Sequence, residues 1–137
     1  MSKRVILIQV FKNFQKLESI LNIITKHFEN SQKVLIYSPD EKALEFMNTF
    51  LWKTPKTSFL PHIISNKKCE DFIVLTKKKK NLNNSSYIFN LSKTALFMED
   101  SFKVIYDFED LATDETKLKF KEKFNSYREK DFLIQSF

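Results

Sequence analysis

The 137-residue sequence contains no glycine, and that absence limits the fold before any element is placed. Glycine enters φ > 0 without steric cost, so it serves tight turns, helix ends and backbone that must close on a ligand. A P-loop needs glycines to aim amides at phosphate, and a dinucleotide-binding G-x-G-x-x-G turn needs three. Neither can be built here, nor can the G-x-S-x-G elbow of a serine hydrolase. An α/β fold remains open to the chain, but not one that holds nucleotide in those ways. Positions requiring φ > 0 fall to asparagine or aspartate, with Asn81, Asn83 and Asn84 as candidates.

The apolar pattern supplies the elements. Val5–Val10 and Val34–Tyr37 are short continuous apolar runs, as expected of strands covered on both faces. Asn13 is placed to cap a helix to about Phe28, with Phe14, Leu17, Leu21, Ile24 and Phe28 on one stripe. Ser38-Pro39-Asp40-Glu41 opens a second helix over Asp40–Leu51. Ser38 is its expected cap and Pro39 its first turn, and Ala43, Leu44, Met47, Phe50 and Leu51 form one face. Phe72–Thr76, Tyr87–Leu91 and Val104–Phe108 read as further strands. A last helix runs from Leu111 to about Lys130 with Thr113 as cap, and Leu133–Phe137 reads as an apolar tail. Strand–helix–strand–helix alternation at this spacing predicts a single domain over residues 1–137. Its fold class is α/β, a Rossmann-like, mostly parallel sheet flanked by helices.

A chain of this length buries roughly two thirds of its unfolded surface, and its 15 phenylalanines supply much of the core. One cysteine, Cys69, allows no internal disulfide and suits a reducing cytoplasm. His27 and His62 stand too far from it and from each other for a zinc spacing, so no metal or cofactor is expected. No run approaches the roughly 20 apolar residues of a membrane span, and a cytoplasmic location is expected.

The net charge of +6 is unevenly spread. Residues 53–80 carry eight lysines against Glu70 and Asp71, and residues 99–115 carry seven acids against Lys103. The run Lys77–Lys80 reads as a solvated hairpin turn, since no aromatic stands beside it outside a strand. A stand-alone nucleic-acid-binding domain using the basic 53–80 region is the alternative function. A small enzyme at the His62 loop is a more remote one, because neither histidine has a carboxylate or nucleophile partner evident in the sequence.

Two features point elsewhere. On the last helix, Phe120, Phe124 and Tyr127 share a face, and Lys117, Lys121 and Arg128 form an adjoining stripe. Cations beside an aromatic ledge suit an acidic peptide ending in an apolar residue. The second feature is the segment Trp52–His62, which holds Trp52, Pro55, Phe59, Leu60 and Pro61. A loop this apolar either folds back on the core or offers its rings to a partner.

The pattern of Leu51, Trp52, Pro55, Ser58, Phe59, Pro61 and His62, directly after a strand and a capped helix, resembles the chi subunit of bacterial DNA polymerase III. The likeness extends through Val34–Asp40 and Ser126-Tyr127-Arg128. It implies a non-catalytic accessory subunit of the clamp-loader assembly, linked to single-stranded-DNA-binding protein through that protein's acidic C-terminal tail, with DNA engaged only indirectly. By the resemblance, Lys117, Lys121, Phe124, Tyr127 and Arg128 would bind the tail. Asn125 stands where the family pattern has a further lysine, a departure that removes one cation. Trp52, Phe59 and Pro61 would contact a psi-like clamp-loader subunit.

Overall fold

The computed structural model describes residues 3–53 and 60–136. Pro55, Ser58 and Phe59 of the aromatic segment lie outside these. The elements follow as β1 (Arg4–Val10), α1 (Asn13–Glu29), β2 (Val34–Tyr37), α2 (Glu41–Lys53), β3 (Ile63–Ile64), β4 (Ile73–Thr76), β5 (Tyr87–Asn90), β6 (Val104–Asp110), α3 (Asp114–Glu129) and β7 (Leu133–Ser136). All seven strands form one sheet in the order β3-β4-β2-β5-β6-β1-β7, and every pairing is parallel. This is the α/β architecture that the alternation implies.

The order explains the layers. From β1 to β3 the chain travels toward one edge, and from β3 to β7 it travels back. Parallel crossovers keep one hand, so the direction of travel decides which face a connection covers. Helices α1 and α2 cover one face, where Ile20, Ile24, Leu44, Met47 and Leu51 meet Ile8, Ile36, Leu75, Phe89 and Phe108. On the other face Tyr127 of α3, with Leu82, Leu96 and Met98 of the long connections, meets Val5, Leu35, Val74, Ile88 and Ile105. The apolar strand runs alternate between the two clusters, as a sheet buried on both sides requires.

Several expectations shift. The cap of α2 is Asp40 rather than Ser38. The amide of Ser38 still donates to the Thr76 carbonyl at 3.1 Å, continuing the sheet. The Asp40 carbonyl accepts the Leu44 amide and its carboxylate accepts that of Lys42. Pro39 therefore precedes the helix. At α1 the cap is Lys12 and not Asn13, because Gln15 Oε1 reaches back to the Phe11 and Lys12 amides at 2.6 and 3.0 Å. Phe14 leaves the expected stripe and is 55% exposed. Helix α3 starts after Leu111, whose amide is taken by the Val10 carbonyl. Thr113 caps it as expected, with Thr116 in the reciprocal position.

Two strands were not anticipated. Leu133–Ser136 is no tail but an edge strand paired with Arg4–Leu7, and Ile63–Ile64 forms the opposite edge. The Lys77–Lys80 run is no hairpin turn either. β4 and β5 both lie parallel to β2 between them, so residues 77–86 cross the face of the sheet. Without glycine, φ > 0 among the described residues falls to Ser31, Asn84 and Asp131, and of the three asparagines expected only Asn84 is used.

Candidate functional site

Helix α3 is anchored by a buried polar cluster. Asp107 on β6 is fully buried and accepts hydrogen bonds from the Tyr127 hydroxyl at 2.6 Å, Asn90 Nδ2 at 2.8 Å and Lys123 Nζ at 2.8 Å. Oδ1, the oxygen that takes Lys123, also accepts the Phe108 amide. The Tyr127 hydroxyl accepts the Leu96 amide at 3.1 Å, so the loop after β5 joins the same network. Burial first, and then the adjacent Asp107 charge, push the Tyr127 hydroxyl far above its ordinary titration range. Among the described residues no buried side-chain nitrogen or oxygen lacks a partner. A satisfied network of this kind fixes orientation as well as position.

That anchor sets what α3 presents to solvent. Tyr127, expected at the surface with the other aromatic residues, has 0% exposure and points into the sheet. Phe124 and Phe120 are half-buried and their rings lie 6.2 Å apart. Lys117, Lys121, Asn125 and Arg128 are exposed. At 100° per residue the three cations span about 40° of the helix, beside Phe124. Lys117 has only a 4.0 Å contact with Asp114, one turn away. Among the described residues Lys121 and Arg128 have no ion-pair partner. The structure thus brings Lys117, Lys121, Phe124, Asn125 and Arg128 to one solvent-facing surface and assigns Tyr127 to holding it there.

Asp107 and Lys123 were not singled out from the sequence. The available signal was an aspartate inside the apolar strand Val104–Phe108, a position that demands a buried partner.

The second surface lies at the other edge. Trp52, in the last turn of α2, is 48% exposed, with its ring centroid 4.2 Å from that of His62. His62 is buried, its ring nitrogens 2.6 Å from the Leu60 carbonyl and 3.1 Å from that of Asn48. The Asn48 contact ties the segment to α2 and the Leu60 contact closes a local turn, which is a structural use of the imidazole. Pro61, Ile63 and Ile64 are exposed. On α2 the rings of Phe46 and Phe50 stack on each other. Leu60 is buried at the end of this segment. Phe59 lies outside the described residues.

His27, the other histidine, donates from Nδ1 to Gln32 Oε1 at 2.7 Å and accepts the Tyr106 hydroxyl at Nε2 at 2.8 Å. Burial holds it below the ordinary imidazole value, which suits a neutral ring with one donor and one acceptor. Among the described residues no group of three or more His, Cys, Asp or Glu could hold a metal ion. No helix among them is long and apolar enough to cross a membrane.

No curated protein matches the chain closely enough to stand as a relative. The family model of the DNA polymerase III chi subunit, HolC, does match, over residues 4–135. That span begins at β1, ends in β7 and includes both surfaces. With nearly the whole chain matched, from the first strand through the anchored α3, this protein belongs to the DNA polymerase III chi subunit family.

Proposed function

We propose that this accessory replication subunit is a non-catalytic adaptor, holding the acidic C-terminal tail of single-stranded-DNA-binding protein on α3 and a psi-like clamp-loader subunit at the β3 edge. The observation that carries the reading is the stripe of Lys117, Lys121 and Arg128 beside the half-buried Phe124. Lys121 and Arg128 have no ion-pair partner among the described residues, so pairing with a peptide's carboxylates would not first require breaking an internal bridge. Arg128 suits a carboxylate bidentately, and the Phe120–Phe124 ledge offers apolar surface to a terminal aromatic side chain. Asn125 contributes a neutral polar group at the side of the stripe away from Phe124. Tyr127 acts as a positioning residue through Asp107. At the other edge Trp52 and Pro61 would bind the partner, and Phe59 belongs to the same stretch of sequence.

A tail peptide ending in acidic residues and phenylalanine should bind with micromolar affinity, near −8 kcal/mol, and more weakly as salt rises. Lys121→Glu, which replaces an attraction by a repulsion, should weaken binding about tenfold or more, or roughly 1.4 kcal/mol. Calorimetric titration of the peptide into both proteins measures this. Equal affinities would remove the stripe from the site.

A further inference from the structure

A second charged surface lies on the face of the sheet that also carries α3, but over its β3–β4 side. Two connections cross this face in the same direction, residues 65–72 between β3 and β4 and residues 77–86 between β4 and β5. They are joined by a hydrogen bond from the Cys69 amide to the Leu82 carbonyl at 3.0 Å, and Leu82 is packed into the core beneath them. The Ser65 hydroxyl binds both the amide and the carbonyl of Lys67, which fixes the start of the first strap. Side by side, the straps expose Lys67, Lys68, Lys77, Lys78, Lys79 and Lys80. Lys77 is paired with Glu41. Among the described residues the other five have no ion-pair partner, and the nearby Glu70 is engaged by Lys33.

Five like charges held together repel one another, an arrangement that a polyanion relieves. The chain's own acids do not offer the complement to such a surface. Asp100 lies by Asn81 at the amino ends of the strands, Asp107 is buried with Lys123, and Asp110 is paired with Lys16 at the carboxyl end. The acidic segment is thus split three ways, which disfavours head-to-tail docking of two copies. A phosphodiester backbone instead presents closely and regularly spaced negative charge.

We propose that the straps 65–69 and 77–80 form a DNA-backbone contact surface, independent of the α3 stripe. Neither strap carries an aromatic residue to stack on a base. The contact should therefore be electrostatic, blind to sequence, and indifferent to whether the DNA is single-stranded or duplex.

Fluorescence anisotropy with a labelled oligothymidylate and a mixed-sequence duplex, from about 50 to 200 mM salt, reads this directly. The intact chain should bind both DNAs at low salt, with affinity falling linearly on logarithmic axes. Lys78→Gln/Lys79→Gln/Lys80→Gln should weaken both and reduce the salt slope by about three, one for each lysine withdrawn from a phosphate. Lys121→Glu should leave DNA binding intact, and an acidic peptide ending in phenylalanine should not displace DNA. Absence of salt-dependent binding, or an unchanged slope in the triple variant, would overturn the proposal. So would strong preference for the single strand, or displacement by the acidic peptide, which would make the straps a peptide site.

Discussion

Asp107 is the residue on which the placement of α3 depends most. Its carboxylate has 0% exposure and accepts hydrogen bonds from a tyrosine, an asparagine, a lysine and a main-chain amide. Removing one partner of a buried pair leaves the other charge uncompensated, which costs about 3–5 kcal/mol. Asp107→Ala should lose stability on that scale by chemical denaturation, because Lys123 keeps its charge in the same packed position. Asp107→Leu with Lys123→Met should recover much of the loss, since an apolar pair of similar volume is tolerated there. If the single and double variants were equally destabilised, the ion pair would be incidental to the anchor. The sequence showed the cations of α3 but not this anchor, for a physical reason. A stripe of Lys117, Lys121 and Arg128 follows from helical spacing alone, whereas Asp107 meets Lys123 and Tyr127 only once α3 has folded back over β6. The burial of Tyr127 belongs to the same class: its ring and its hydroxyl suit a surface or a core, and tertiary contacts decide.

Among the elements, the ends of α1 and α3 show how helices stop in a chain without glycine. After α1 the Gln32 amide donates to the His27 carbonyl and Ser31 to Phe28. After α3 the Phe132 amide donates to Tyr127 and Asp131 to Arg128. Both are Schellman closures, which require φ > 0 at the first residue beyond the cap. Ser31 takes φ 55° and Asp131 takes φ 60°. Aspartate tolerates this region through local hydrogen bonding, but serine has less compensation for the Cβ clash. Ser31→Gly should therefore stabilise the protein by up to about 1 kcal/mol, seen as a higher denaturation midpoint at unchanged slope. A loss of stability would show that Ser31 makes a compensating contact. These closures also explain why β7 escaped notice. Asp131 gives no conventional stop signal, and Leu133–Ser136 is too short for its period to separate strand from tail. By contrast Val34–Tyr37 was legible to the residue, because four apolar positions bounded by Lys33 and Ser38-Pro39 admit little else. The α2 cap was two residues off because Ser38 and Asp40 are equally good caps locally. Ser38 Oγ accepts the Asp40 amide instead of a helix amide, and Asp40 is left to accept those of Lys42 and Leu44.

For the whole molecule, the strand order separates the two proposed protein-binding surfaces. The β3 edge, with Trp52 and Pro61 nearby, and the β7 edge, beside which α3 crosses, are opposite ends of one seven-stranded sheet. Six strand spacings of about 4.8 Å place those edges roughly 29 Å apart. A close-packed sheet buried on both faces has no evident two-state element between them, so binding at one edge should leave the other unchanged. The adaptor account requires that independence, since a bridge must hold both partners at once. The direct measurement is light scattering coupled to gel filtration, with this chain, its psi-like clamp-loader partner and single-stranded-DNA-binding protein mixed together. The account predicts one complex containing all three, lost on omission of the tail but with the partner pair still formed. Mutual exclusion, in which the tail displaces the clamp-loader subunit, would contradict it.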